Sequence, residues 1–307
     1  TAINDECGVC EGNNSSCLDN CDVINGNDSC LEYVVDSEMA CENLYSEIDG
    51  SFISCDENCK RVFDYSEDCL HYNDYNVLVD IKSVNPSMVN TILLNIGDML
   101  WVNGRLIELE LSFITVLSES IGNLSALQLL SIKYSDITSL PESIGDLEKL
   151  EVLSLAVNPE LTVLPNTLIQ LQNLNDLTIN NTAITQLPEN FNELGAIENL
   201  IITNNNLLTS LPDNFWNMRF GCIESAFDGY EDCVLNLSNN SLTSLPLNAI
   251  DCEELNLPCG YDNLELVFHL YLNDNELVSI PDYFTRFFRF KSLNLNNNKI
   301  ENSSVRF

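Results

Sequence analysis

The stretch LQLLSIKYSDITSLPESIGDLEK, residues 127–149, decides the fold because its apolar positions recur along the chain. Most units are 23 or 24 residues long, and two of 35 residues each carry an insertion near a pair of cysteines. The units begin near Gly104, Leu127, Leu150, Leu174, Ile197, Asp232, Val267 and Phe290. A period of this length is typical of a solenoid, in which each unit buries its apolar face only against its neighbours.

The positions of one unit predict its local structure. Leu130 and Ile132 alternate on a short strand and are expected to point inward, so stacked units form a parallel sheet. A buried side chain at the ninth position is expected to bond the backbone of neighbouring turns. The ninth positions are Ser112, Ser135, Asn158, Thr182, Asn205, Asn240, Asn275 and Asn298.

These positions resemble the leucine-rich repeat L-x-x-L-x-L-x-x-N-x-L, and the half LPESIGDL is similar to the 23-residue class of Ras-group-related and Scribble-like proteins. The resemblance implies an α/β leucine-rich-repeat solenoid with a concave parallel sheet, preceded by a small disulfide-rich module. It covers about two thirds of the chain. The resemblance also implies caps at both ends of the stack, since an end unit lacks one neighbour.

Four segments are predicted. Residues 1–34 form a cysteine-rich spacer, and residues 35–75 form a disulfide-tied helical module. Residues 76–103 have apolar residues at roughly helical spacing and resemble the N-terminal cap of plant-type extracellular leucine-rich repeats, without its paired cysteines. Residues 104–307 hold about eight repeats, two of them with cysteine-containing insertions.

The composition limits the function. The chain has 307 residues and a net charge of −35, from 47 acidic and 12 basic residues. Nucleic-acid binding needs a basic surface and is therefore excluded, and cationic partners are favoured. The phosphate loop, the dinucleotide fingerprint and a metalloprotease H-E-x-x-H are absent from the sequence, and His71 and His269 are its only histidines. We therefore expect no catalytic residues, no bound cofactor and no enzymatic activity.

Cysteine usage indicates an oxidising compartment. Metal binding needs sets of four ligands with paired spacing. Cys7 and Cys10 form one such pair, but no matching pair follows in zinc-ribbon register, so disulfides are favoured. The odd number leaves one thiol without an internal partner, and the connectivity is open. The predicted disulfide cysteines are Cys7, Cys10, Cys17, Cys21, Cys30, Cys41, Cys55, Cys59, Cys69, Cys222, Cys233, Cys252 and Cys259.

Sequons agree with secretion. The candidate glycosylation sites are Asn13, Asn14, Asn27, Asn123, Asn180, Asn236, Asn239 and Asn302. No stretch of eighteen apolar residues that could span a membrane exists in the sequence. The chain lacks an initiator Met, which favours a mature or excised piece of a secreted precursor.

The stretch NDECGVCEGNNSSCLDNCDVINGNDSC, residues 4–30, resembles a segment of secreted multidomain proteins, including metalloproteases with thrombospondin motifs and microbial surface proteins. The resemblance implies a disulfide-stapled spacer and carries no activity. Its Asp and Asn residues leave calcium open as a cofactor, but the order D-x-[DN]-x-[DN]-G is not met, so a solvated acidic loop is favoured.

Two surfaces are candidates for interaction. The first is an apolar row on the sheet face, and its alternative role is contact with the N-terminal module; its predicted residues are Leu111, Leu129, Tyr134, Val152 and Val157. The second is the basic, aromatic tail, with residues Arg286, Phe288, Arg289, Phe290, Lys291, Arg306 and Phe307. Residues 1–70 carry a net charge of −15 and residues 282–307 carry +3, so head-to-tail self-association is expected.

The leading hypothesis is a secreted structural subunit of an extracellular filament, in which the next copy completes the last, half-finished repeat. The alternative is a recognition ectodomain that binds a protein or glycan on the concave face. Neither hypothesis involves a nucleic acid or a membrane span.

Overall fold

A computed structural model gives the architecture. It describes residues 69–301 except for 196, 219, 222–223, 226–228, 231–232, 247–268 and 282–290, and before residue 69 it describes only 34–35, 44–45, 52–53 and 59–62. The chain divides into two compact units, Thr1–Ile107 and Glu108–Phe307.

The first unit combines antiparallel strands with one helix. β1, β4 and β5 form a three-stranded sheet, and β2 pairs with β3. The elements are β1 Val34–Val35, β2 Leu44–Tyr45, β3 Phe52–Ile53, β4 Cys59–Val62, β5 Cys69–His71, α1 Tyr72–Val84 and β6 Gly97–Val102, with short 3-10 turns at Pro86–Met88 and Leu93–Asn95.

The described residues between 34 and 71 therefore lie in strands, where the sequence predicts a helical module over 35–75. Valine, phenylalanine and isoleucine dominate β1 and β3, and these residue types favour a pleated strand over a helix. The predicted domain boundaries stay predictions.

The helix α1 ends where the sequence requires it. Its buried side is formed by Val77, Leu78 and Ile81. Asn85 precedes a proline and adopts an extended conformation, because the proline ring disfavours the helical region for the residue before it. The helical spacing predicted for the cap over 76–103 thus holds only to Val84, and Trp101 lies on a strand.

A buried carboxylate fastens α1 to the start of the second strand after the helix. Asp74 is fully buried, and its Oδ2 accepts hydrogen bonds from the Arg105 Nε at 2.8 Å and the Leu106 amide at 2.9 Å. Its Oδ1 accepts a third hydrogen bond, from the Arg105 Nη2 at 3.1 Å. A buried charge is tolerated when it is paired and hydrogen-bonded in this way, so Asp74 is a structural residue.

A two-residue hairpin leads into the repeats. β6 is the neighbour of β7, Arg105–Ser112, and Asn103 and Gly104 join them with φ angles of 50° and 75°. Positive φ at both positions defines a type I′ turn, for which Asn-Gly is the favoured pair.

The second unit is a parallel sheet that begins within β7. The other strands of this parallel sheet, which leaves out β12 and β13, are β8 Leu129–Lys133, β9 Val152–Asn158, β10 Asp176–Thr182, β11 Asn199–Thr203, β14 Val234–Asn236, β15 His269–Tyr271 and β16 Ser292–Asn294. They pair in chain order, each with its neighbour in the next repeat. A small antiparallel pair, β12 Glu224–Ser225 and β13 Gly229–Tyr230, lies in the first long repeat.

Paired positions of adjacent strands carry equivalent buried apolar residues. Leu130 pairs with Leu153, and Leu153 pairs in turn with Leu177, and all three are fully buried. The parallel sheet, the buried alternation and the period confirm the predicted leucine-rich-repeat solenoid.

The ninth-position asparagines bond the backbone of the preceding repeat, as predicted. The Asn158 Nδ2 donates to the Ile132 carbonyl at 2.9 Å, and its Oδ1 accepts from the Ser135 amide at 3.2 Å. The Asn205 Nδ2 donates to the Ile179 carbonyl at 3.0 Å. Both asparagines are fully buried, so these bonds satisfy backbone groups that water does not reach.

Short 3-10 turns follow the strands on the other side of the core. They are Glu119–Asn123, Glu142–Asp146, Asn166–Gln170, Phe191–Glu193 and Phe215–Asn217. The turns of adjacent repeats approach closely: a Cβ added at Gly145 would lie 2.5 Å from the Thr167 carbonyl oxygen of the next repeat. Glycine is therefore required at position 145 of LPESIGDL, because the backbone of the next repeat occupies the space that a side chain would need.

The first repeat corrects the predicted register. β7 pairs Leu109 with Leu130 and Leu111 with Ile132, so this repeat begins at Leu106, two residues later than predicted. Its ninth position is Ile114 and not Ser112, which pairs with Lys133. Counting back 23 residues from Leu127 fails because the first repeat is 21 residues long up to that leucine.

Candidate interaction surface

The backbone turns sharply at the eighth position of every repeat. This residue has φ between 50° and 59° in all eight repeats, which is the left-handed region. The conformation is imposed by the fold, since the strand must end there and the ninth side chain must enter the core. The eight residues are Phe113, Tyr134, Val157, Asn181, Asn204, Asn239, Asp274 and Asn297.

The last five of these residues suit the conformation and the first three do not. Asn and Asp adopt left-handed φ readily because their short polar side chains bond locally. For other residues with a Cβ this conformation costs about 1–2 kcal/mol, and a β-branched residue such as Val157 is a marked outlier. Backbone strain of this kind is characteristic of functional surfaces.

The first two of these residues form an exposed aromatic pair. The rings of Phe113 and Tyr134 stack with centroids 6.4 Å apart and an angle of 22° between their planes. Phe113 is 71% exposed and Tyr134 is 58% exposed. Val157, half-buried, follows Tyr134 in the next repeat. We call Phe113, Tyr134 and Val157 the aromatic row.

Backbone hydrogen bonds fix the spacing of the aromatic row. The Phe113 amide donates to the Tyr134 carbonyl at 3.2 Å, and the Tyr134 amide donates to the Ala156 carbonyl at 3.2 Å. The three residues therefore stand on adjacent strands, one strand spacing of about 4.8 Å apart. Rigid elements hold them, so a partner would meet a preformed surface.

The repeats that carry the aromatic row are acidic. Residues 108–160 contain nine acidic residues and two lysines, and Lys133 is bonded to the Glu110 carboxylate at 2.8 Å. Asp136 is exposed two residues after Tyr134, and its amide donates to the Ile114 carbonyl at 2.9 Å. The apolar aromatic row therefore lies in repeats with an excess of negative charge.

The later repeats present amides in place of rings. Asp274 accepts hydrogen bonds from the Asn273 Nδ2 at 2.6 Å and from the Asn297 Nδ2 at 2.7 Å. These bonds hold the pKa of the Asp274 carboxyl below its ordinary value of 3.8. The Asn180 Nδ2 donates to the Thr203 Oγ1 at 2.7 Å. Side chains in this part of the face thus bond mainly to each other.

His269 lies on β15 beside Tyr271, on the sheet face, as the register predicts. The two rings are parallel within 4°, with centroids 6.3 Å apart, and the His269 Nδ1 lies 2.7 Å from the Ser292 Oγ of the next repeat. Within the described residues, no cluster of three His, Cys, Asp or Glu side chains is arranged to hold a metal ion.

The predicted interface residues differ in their exposure to solvent. Tyr134 is exposed, and Leu129, Val152 and Val157 are half-buried on the sheet face. Leu111 is fully buried, and this correction follows from the two-residue register shift, which puts Phe113 at the position assigned to Leu111. Of the predicted tail residues, Lys291 is exposed, and the other six lie outside the described residues.

Sequence reasoning missed Phe113. The signal was present, because aligning ELELSFIT at 108–115 with LLSIKYSDIT at 129–138 on their paired strands puts Phe113 beside Tyr134.

Cysteines and sequons are placed only in part. Cys233 is buried and disulfide-bonded, whereas Cys59 and Cys69 are described by their strands alone and the other ten lie outside the described residues. Asn123 and Asn239 are exposed, and Asn180 and Asn236 are half-buried. The remaining sequons, and the segment considered for calcium, lie outside the described residues.

Comparisons with known proteins agree with the repeat assignment. A family model described as a leucine-rich repeat region matches residues 95–200, so the chain contains such a region. The strand register continues the same repeat to β16. A search of curated proteins gives no match.

Several solved structures are similar. The plant peptide hormone receptor RGFR1 in complex with RGF2 is 21% identical over 63% of this chain and 28% of its own, with a TM-score of 0.46. A leucine-rich repeat protein of Leptospira interrogans is 26% identical over 66% of this chain and 51% of its own, with a TM-score of 0.43. The ectodomain of the receptor kinase SOBIR1 from Arabidopsis thaliana is 22% identical over 49% of this chain and 91% of its own, with a TM-score of 0.32. The chain thus spans about half or less of the length of the first two.

The part of the chain that the structure describes contains no helix of the length and apolar character needed to cross a membrane.

Proposed function

We propose that this chain is a non-enzymatic recognition protein that binds a protein partner through the aromatic row. One observation carries the proposal: a stacked, exposed pair of aromatic residues occupies a strained turn where all five later repeats have Asn or Asp. Strain and exposure both lower stability, so a function that needs the rings explains why they stand there.

The chemistry of the surface suits a protein partner. Exposed aromatic residues on a rigid support act as binding hot spots because they bury a large area and lose little side-chain entropy. The rings are flanked by polar groups, as in the rim of a typical interface.

Secretion forms part of the proposal. The thirteen cysteines, the disulfide at Cys233 and the eight sequons support a disulfide-bonded glycoprotein of an oxidising compartment. Mass spectrometry of the natural protein, before and after glycosidase treatment and under non-reducing conditions, tests both modifications. A protein that carries neither glycans nor further disulfides would contradict secretion.

Photo-crosslinking tests the recognition role. A photoreactive phenylalanine at position 134 should give a saturable crosslink to a component of the extracellular proteins of the source organism. An excess of unlabelled wild-type protein should compete, whereas Tyr134→Asn should not. The matched control is the same photoreactive residue at position 207, because Leu207 is similarly exposed at 54% but has an ordinary backbone conformation. Equal competition by Tyr134→Asn would contradict the proposal.

Head-to-tail self-association is a second candidate, supported by the charge of −15 in residues 1–70 and +3 in residues 282–307. It makes the chain a structural subunit of an extracellular filament through Arg286, Phe288, Arg289, Phe290, Lys291, Arg306 and Phe307. Sedimentation velocity should then show association that falls with salt and with Arg286→Glu and Arg289→Glu combined. Tyr134→Asn should leave it unchanged. A monomer at high concentration and low salt would rule it out.

A further inference from the structure

We propose that the partner presents a cationic segment, with an arginine or lysine beside apolar residues, and that this segment lies across the aromatic row with its charge near Asp136. This inference rests on the proposed function and specifies the chemistry of the partner.

The charge of the repeats that carry the aromatic row favours a cationic partner. Residues 108–160 have a net charge of −7, and one of their two lysines is already bonded to Glu110. An acidic peptide, a nucleic acid or an anionic lipid surface would meet repulsion here, whereas a cationic segment is attracted and steered.

Asp136 supplies a specific counter-charge. It is exposed, and no cation pairs with it among the described residues. Its amide is bonded to the carbonyl of Ile114, the residue after Phe113, so the Asp136 backbone lies directly beside the backbone that follows Phe113. Asp136 is therefore an exposed acid two residues after Tyr134, in a turn that is bonded to the residue after Phe113.

The rings themselves favour a cation. The face of an aromatic ring attracts Lys and, more often, Arg, whose planar guanidinium also stacks on the ring and bonds a carboxylate at the same time. Phe113 and Tyr134, with Asp136 beside them, provide both interactions within two repeats.

The length of the row indicates an extended segment. Three adjacent strands span about 10 Å, which three or four extended residues cover. A cation over the rings with an apolar neighbour over Val157 would match this arrangement.

A peptide selection tests the inference with the full chain. A random library of displayed dodecapeptides is selected on the wild-type protein, and the recovered peptides are synthesised and measured by fluorescence anisotropy. We expect a clear excess of Arg and Lys beside aliphatic or aromatic residues. Affinity should fall at least about 30-fold in Tyr134→Asn, as for a hot-spot residue.

Asp136→Asn isolates the charge. We expect affinity to fall about 5-fold, because the carboxylate is exposed, and we expect the dependence on salt to decrease. Two control variants should bind the peptides like the wild type. They are Asp213→Asn, at an exposed aspartate outside residues 108–160, and Leu207→Asn.

The outcomes separate the two claims. Binders that need Tyr134 but are neutral or acidic, or that ignore Asp136→Asn, would overturn the cationic partner and leave the proposed function standing. Failure to recover any binder that loses affinity in Tyr134→Asn would overturn the proposed function as well.

Discussion

The first three repeats and the last five put different residues into one backbone conformation. Asn or Asp fills the left-handed eighth position in the last five, and Phe113, Tyr134 and Val157 fill it in the first three. The fold imposes the turn in both regions. In the last five repeats, the residue at this position matches the conformational preference of the left-handed turn. At the aromatic row, the residues do not match that preference, so a different requirement has selected them.

The largest effect should come from the ninth-position asparagines, which four of the last five repeats have and two of the first three repeats lack. Asn205→Leu removes the acceptor of the Thr182 amide and the donor to the Ile179 carbonyl, and both stay buried. The Thr182 hydroxyl loses the same acceptor. We expect a loss of about 3 kcal/mol in the free energy of unfolding, since each unsatisfied buried group costs about 1–3 kcal/mol. Urea denaturation measures it. Asn206→Leu, at the exposed next residue, should change the free energy of unfolding little. Equal losses in the two variants would contradict the structural role of the ninth-position asparagines.

Gly145→Ala should have the next largest effect. The added methyl group would collide with the Thr167 carbonyl of the following repeat, and backbone cannot move aside as a flexible side chain can. We expect a loss of about 2 kcal/mol, the usual cost of overpacking. Ser143→Ala, on the same turn, is the control in thermal unfolding, and an unchanged melting temperature in Gly145→Ala would contradict the close approach.

Exchanging residues at the eighth position tests the comparison directly. Tyr134→Asn should stabilise the protein by about 1 kcal/mol, because it removes the left-handed strain of a bulky residue. Asn204→Tyr should destabilise it by a similar amount. Leu207 is exposed to a similar degree but lacks a left-handed φ, so Leu207→Asn should not raise the stability of the protein. If Tyr134→Asn is less stable than the wild type, strain is not what distinguishes the two regions.

The smallest effect concerns pH. Hydrogen bonds from Asn273 and Asn297 lower the pKa of Asp274, so the folded state favours the carboxylate. The stabilisation is therefore full above the ordinary pKa and is lost as pH falls through the folded value. Asp274→Asn keeps a residue that suits the turn, and its melting temperature should fall below the wild type at pH 7, with the difference closing near pH 2. A difference that persists unchanged at acid pH would contradict the lowered pKa.

The sequence predicts the repeated core well because apolar positions recur in register from Leu127 onward. It fails at the first repeat, where the strand pairing and not the period sets the register. That shift exchanged the buried Leu111 for the exposed Phe113. The hairpin at Asn103 and Gly104 was also missed, although Asn-Gly is its usual signal. Stacking of two side chains from different repeats is a tertiary contact that neither repeat encodes alone.

The asparagine ladder gives the stack a polarity. Asn158, Asn205 and Asn240 each bond the backbone of the repeat before them, so each of these repeats satisfies buried groups of its N-terminal neighbour. If such a repeat detaches, buried backbone groups of the repeat before it lose their hydrogen-bond partners. Under mechanical tension, we therefore expect rupture to travel toward the amino terminus more readily than toward the carboxyl terminus.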